Sequence, residues 1–131
     1  MSWDYRCPKC EAMLNPEAGI VLVAARGEAR VLAGFHPEPG NYEVHFPPEV
    51  SIEGGDIWTF SCPVCHADLV SAENENLCAL HLRVGEERQQ VLFSRIAGEH
   101  ATYVVAGGEV AEQHGDHALS YYELAMSMRF I

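Results

Sequence analysis

The sequence predicts a mainly β, internally duplicated domain closed by one short C-terminal α-helix, and three observations predict it. The phrase WDYRCPKCEAML at residues 3–14 returns as WTFSCPVCHADL at 58–69. Two apolar runs each close on a Gly-Glu turn, GIVLVAARGEAR (19–30) and NLCALHLRVGEER (76–88). The final stretch, HGDHALSYYELAMSMRFI, changes to a helical period.

The doubled phrase sets Trp3 against Trp58, Tyr5 against Phe60, Cys7 against Cys62, Pro8 against Pro63, Cys10 against Cys65, Ala12 against Ala67 and Leu14 against Leu69. Any site built from two turns repeats its cysteines, so the outer matches carry the duplication. The pattern W-x-(aromatic)-x-C-P-x-C-x-A-x-L has period-2 texture on both sides of the cysteines, which predicts a strand, a tight turn and a second strand. Trp3, Tyr5, Trp58 and Phe60, spaced by two beside the turn, are expected to pack in a core rather than to stack on bases.

Further along, Gly27-Glu28 meets Gly85-Glu86 and Arg30 meets Arg88. The chain restarts as VLAGFH (31–36) and VLFSRI (91–96), followed by the Tyr-bearing NYEVHF (41–46) and TYVVAG (102–107). The expected organisation is one domain of two related halves, about residues 1–50 and 56–108, joined by the Pro/Gly-rich PPEVSIEGGD (47–56). Leu119, Tyr122, Met126 and Phe130 mark one helical face, Ser120 and Glu123 offer a capping box, and Asp116 an alternative cap. A helix over about 117–129, packed on the sheet, is the expectation.

Composition narrows the function. With 131 residues, 48% apolar and 21% charged, the chain is a folding sequence rather than a disordered one. A formal charge of −11 would repel a phosphate backbone, and the eight basic residues are scattered, so nucleic acid is a disfavoured partner. Only Arg6 and Lys9 sit beside a cysteine pair. The opening MSWDYRCPKC lacks the apolar run of a signal peptide and no segment reaches membrane-span length, so a soluble, cytoplasmic protein is expected. In a reducing compartment, paired cysteines bind metal or do redox chemistry more often than they form disulfides.

The cysteines run C-x2-C, fifty-one intervening residues, then C-x2-C. A tetrahedral ion takes four thiolates at about 2.3 Å, and a two-residue spacer lets one turn supply two of them. Cys7, Cys10, Cys62 and Cys65 are therefore the expected metal ligands. A thioredoxin-type dithiol would need a cysteine pair opening a helix, and neither Cys7 nor Cys62 lies in a helical pattern. YRCPKCEAMLNPEAG (5–19) resembles the first knuckle of the rubredoxins and DIWTFSCPVCHADL (56–69) the second, so the chain is similar to the double-knuckle class of zinc ribbons and rubredoxins. It also resembles a bacterial family named for its two C-P-x-C motifs. Two departures stand out: a longer segment between the knuckles, and Glu11 and His66 where that class places glycine.

Thiolate softness and tetrahedral geometry allow zinc or iron. Zinc is expected, because loss of the knuckle glycines should remove part of the hydrogen bonding to sulfur that tunes an iron site. His66, next to Cys65, is placed beside the metal. His114, Asp116 and His117 form a possible secondary site, although Asp116 is also explained as a cap. Cys78, aligned with Ile20, reads as a small buried hydrophobe, and His81, aligned with Val23, as a half-buried strand histidine. His36, His45 and His100 have no repeat partners.

No nucleophile elbow or phosphate loop is present, so a non-enzymatic role is expected. The leading expectation is an acidic accessory module with a structural four-cysteine zinc site, engaging a protein partner or a copy of itself. A rubredoxin-like iron electron carrier and a zinc-ribbon nucleic-acid binder are the alternatives.

Overall fold

A computed structural model describes residues 3–17, 19–72, 74–99, 101–106 and 109–115. Among these residues the chain is all β. Its strands are β1 (Asp4–Arg6), β2 (Ile20–Arg26), β3 (Ala29–Phe35), β4 (Val44–His45), β5 (Thr59–Ser61), β6 (Leu77–Val84), β7 (Glu87–Ser94), β8 (Thr102–Ala106) and β9 (Glu109–His114). They form two antiparallel sheets, one in the order β1-β6-β7-β8-β9 and the other β4-β3-β2-β5. No described helix is long and apolar enough to cross a membrane. The helix expected over about 117–129 lies outside the described residues, as do Asp116 and His117.

The hairpins β2–β3 and β6–β7 are built alike. Arg26 pairs with Ala29 across Gly27-Glu28, and Val84 with Glu87 across Gly85-Glu86. Gly27 and Gly85 take φ 62° and 64°, as the first central position of a tight hairpin turn of the II′ kind requires. The registers then match pair for pair: Ile20 faces Phe35 as Cys78 faces Phe93, and Val23 faces Leu32 as His81 faces Gln90. The next strands follow suit, with Phe35 opposite Val44 and Phe93 opposite Thr102. Phe35 thus corresponds to Phe93, so the sequence-level match of Val31 with Val91 was slipped by two residues. Strand β9, beyond the expected second half, has no counterpart in the first.

The halves do not stand side by side. β1, which leads into the first cysteine pair, leaves its own hairpin and pairs with β6: Tyr5 faces Leu82. β5, which leads into the second pair, crosses the other way onto β2: Phe60 faces Ala24. Each sheet therefore contains a strand from the opposite half. This reciprocal exchange joins the halves through backbone pairing in addition to any ion held between the knuckles.

The core follows from alternation along the strands. Ile20, Leu22 and Ala24 of β2 and Leu80, Leu82 and Val91 of β6 and β7 turn into one cluster with Tyr5, Leu14, Trp58, Phe60 and Leu69. Phe35 of one sheet meets Phe93 of the other at 5.9 Å between ring centroids, and Phe60 completes the trio at 5.3 Å from Phe35. Buried aromatic and aliphatic side chains of this size contribute about 1.5–3 kcal/mol each, so residues of both halves stabilise one shared core. Leu77, Ala79, Leu92 and Tyr103 face the opposite side of the five-stranded sheet in a second cluster. Cys78 is fully buried in the main cluster, as its alignment with Ile20 suggests.

Candidate metal centre

Each cysteine pair sits on a turn just past an exchanged strand. In the first, the Cys7 amide donates to the Ala12 carbonyl at 3.0 Å and the Glu11 amide to the Cys7 carbonyl at 3.0 Å. In the second, the Cys62 amide donates to the Ala67 carbonyl at 3.0 Å and the His66 amide to the Cys62 carbonyl at 2.9 Å. Below both turns the backbone closes again, with the Leu14 amide on the Tyr5 carbonyl and the Leu69 amide on the Phe60 carbonyl. The repeated Pro, Ala and Leu of the doubled phrase are thus positions of one local geometry.

The exchange of β1 and β5 brings the two turns face to face. Cys7 Sγ lies 3.8 Å from Cys65 Sγ, and Cys10 Sγ lies 3.7 Å from Cys62 Sγ. All four sulfurs fall within 4.8 Å of one another. An ion holding sulfur tetrahedrally at about 2.3 Å has sulfur–sulfur edges of about 3.8 Å. Both of these edges join different halves, so an ion seated here links the two. Cys7 and Cys62 are buried and Cys10 and Cys65 exposed, which places the cluster at the protein surface. Among the described residues no other group of His, Cys, Asp and Glu is arranged to hold a metal.

Backbone amides already point at the sulfurs. The Lys9 and Cys10 amides donate to Cys7 Sγ at 3.3 and 3.5 Å, and the Val64 and Cys65 amides to Cys62 Sγ at the same two distances. Glu11 and His66 hold φ of 63° and 64°, the left-handed conformation that glycine adopts without cost. For a residue with a side chain this costs about 1–2 kcal/mol. The expectation that losing the glycines would also lose hydrogen bonds to sulfur is therefore corrected. The backbone takes the required shape regardless, and the bonds remain.

The thiols differ in acidity. Burial pushes Cys7 up to about 12, against the pull of the Cys10 and Lys9 amides. Burial opposes ionisation of Cys62 too, but the Cys65 and Val64 amides and the Cys10 and Cys7 sulfurs outweigh it and lower Cys62 to about 7. Cys10 is raised: the Ala12 amide favours its thiolate, and burial with the Cys62 and Cys65 sulfurs overcomes that. Of Cys7, Cys10 and Cys62, only Cys62 is thus made more acidic than an ordinary thiol.

The other expected site residues are dispersed. His66 is exposed on the knuckle, its backbone rather than its ring serving the turn. His114 is at the end of β9, where Nε2 lies 3.1 Å from Glu112 and the ring packs against Gly40. A Cβ on Gly40 would come within 2.8 Å of that ring, and φ there is 90°, so only glycine fits. His81 lies 3.8 Å from the Glu11 carboxylate, a neighbour of the knuckle that its place on β6 did not announce. Tyr5, Trp58 and Phe60 are buried in the core, in line with the packing expectation.

At a level that would establish relationship, the chain matches no protein-family model, no curated protein and no solved structure.

Proposed function

We propose that Cys7, Cys10, Cys62 and Cys65 hold one zinc ion whose role is structural, in a duplicated β protein that serves as an accessory or interaction module. The carrying observation is the pair of cross-half sulfur separations, 3.7 and 3.8 Å, at the edge length of a tetrahedral thiolate site. Four thiolates close the coordination shell and leave no position for a reacting water. Locked across exchanged strands, such an ion fixes the relative position of the halves and asks for no redox chemistry. Matching registers in the two hairpins support duplication of a half-domain as the origin of the arrangement.

The interaction role finds its support on the outer face of the four-stranded sheet. Leu32 is 58% exposed there, directly across from the partly buried Val23. The edge strand β4 beside it is also exposed. An uncovered apolar sheet face and a free edge suit a protein partner or a second copy of this chain.

Metal analysis of protein purified without added metal, with its absorption spectrum, tests the proposal: one zinc per chain and no colour is the expected result. A specific observation keeps iron as a second reading. The amide donors to sulfur, present despite Glu11 and His66, are the contacts that tune an iron–thiolate potential. A red protein containing one iron per chain establishes that reading and removes the zinc one.

A further inference from the structure

The outer face of the five-stranded sheet is buried, yet no described strand lies over it. Leu77, Leu92, Ala101 and Tyr103 are 0% exposed there, and Ala79 and Val105 only 6%. All of them belong to β6, β7 or β8, except Ala101, which directly precedes β8. Ala79 faces Leu92 and Leu92 faces Tyr103, so these three form one row across three strands. The four-stranded sheet is not the cover, because its Leu22 and Phe35 meet Leu80, Val91 and Phe93 on the other face. A sheet face without a further layer stands in water, as Leu32 does on the four-stranded sheet. Burial as complete as that of Leu92 and Tyr103 requires a third layer.

Outside the described residues are single positions and pairs, at 1–2, 18, 73, 100 and 107–108, and one long run, 116–131. Only that run is long enough to cross three strands. It also starts in the right place. β9 lies beside β8, with Gln113 opposite Tyr103, and Gly115 follows at φ 99°, a bend that suits glycine and ends the strand. Neighbouring strands lie about 4.8 Å apart, so the distance from β8 to β6 is about 10 Å. A helix rising about 1.5 Å per residue carries Phe130 about 17 Å beyond Leu119, enough to span it. The stripe Leu119, Tyr122, Met126 and Phe130 needs an apolar surface, and a helix this short holds in water only when packed. We propose that residues 116–131 are the third layer, a helix whose Leu119, Tyr122, Met126 and Phe130 side chains seal Leu92 and Tyr103 from water. A covered face without a cover and an apolar stripe without a surface thus answer each other. With this face taken by the chain itself, the interaction surface is confined to the four-stranded sheet. The third layer stands whether or not that surface finds a partner, and whichever ion the cysteines hold.

The test uses full-length protein labelled with ¹³C at the methionine methyls. The expected result is through-space contact of the Met126 methyl with the Tyr103 ring and the Leu92 methyls, and none with the Phe60 ring. Met126→Asp is expected to lower Tm by about 5–10 °C, the loss of one buried side chain, and to shift the Tyr103 ring signals. Ser127→Asp, beside the stripe, should leave both unchanged. Absence of contact between Met126 and Tyr103 overturns the proposal, as does contact with Phe35 or Phe60 instead, which would seat the segment between the sheets. Contacts that appear only between labelled and unlabelled chains in a mixed sample would assign the cover to a second copy and overturn it too. Unchanged Tm and Tyr103 signals in Met126→Asp would do the same.

Discussion

Glu11 and His66 occupy equivalent places in two knuckles and share one backbone conformation, φ 63° and 64°, that neither side chain favours. Nothing in a glutamate or a histidine asks for it. The turn asks for it, because past the second cysteine the chain must swing back for the Ala12 and Ala67 carbonyls to accept from the Cys7 and Cys62 amides. Strain kept at matched positions around four sulfurs is a structural signature of a site, independent of the sulfur separations.

Relief of that strain is measurable. Glu11→Gly and His66→Gly should each stabilise the metal-loaded protein by about 1 kcal/mol, less the entropy that glycine adds to the unfolded chain. In thermal unfolding this corresponds to a rise of roughly 3–5 °C per substitution. A fall in Tm for both variants would mean that the side chains, not the backbone, matter at these positions.

Removal of the metal should weaken the protein without dissolving it. Cys7→Ser, or exhaustive chelation, is expected to abolish stoichiometric metal and lower Tm markedly, since structural sites contribute on the order of 10 kcal/mol. The exchanged strands and the shared core persist, so circular dichroism at room temperature should still show β structure. Unchanged thermal unfolding of Cys7→Ser would exclude a structural metal.

Metal affinity should rise with pH. The bound thiolates carry no protons, whereas in the metal-free protein Cys7 keeps its proton up to about pH 12 and Cys62 to about 7. Binding therefore releases protons, and lower pH opposes it. Competition with a chromophoric chelator at pH 6, 7 and 8 should give an affinity that increases at each step. A pH-independent affinity would rule out these thiols as ligands.

Cys78 should behave unlike the exposed cysteines of the cluster, Cys10 and Cys65. Burial pushes its thiol up to about 12, with Arg95 pulling weakly the other way. Because the folded pKa exceeds the ordinary value of 9.0, the stability tied to the protonated thiol is fully present below about pH 9 and is lost as pH climbs toward 12. After chelation at pH 8, a maleimide should label the exposed Cys10 and Cys65 rapidly and Cys78 only when denaturant is added. Rapid modification of all five in native protein would contradict its burial.

The exposed face of the four-stranded sheet offers a direct check on association. Leu32→Asp should abolish any self-association or partner capture seen by size analysis while leaving Tm within about 0.5 kcal/mol equivalents of the parent, as surface substitutions do. Retained association would place the interface elsewhere.

What the sequence disclosed, it disclosed where the physics is local. The C-x2-C turns, the glycines at 27 and 85 and the alternation of Ile20, Leu22 and Ala24 each declare themselves within a few residues. The exchange of β1 and β5 does not, because a three-residue strand such as Asp4–Arg6 carries no mark of which distant partner it will meet. Identity misled at Val31 and Val91, where pairing follows Phe35 and Phe93 instead. The left-handed turns at Glu11 and His66 were hidden because the residues there advertise the wrong propensity. Strand β9, EVAEQH, carries too little apolar alternation to announce itself.

Protein synthesis runs in one direction, and the strand exchange makes that matter. The first cysteine pair leaves the ribosome early, yet the strand that β1 pairs with, Leu77–Val84, and the sulfurs facing Cys7 and Cys10 arrive much later. At about 5–20 residues per second the wait is on the order of ten seconds. During it, Cys7 and Cys10 hold half a coordination shell open to any soft metal or oxidant present. Assembly of this protein is thus a matter of timing, with the second half arriving to close a site that the first has kept waiting.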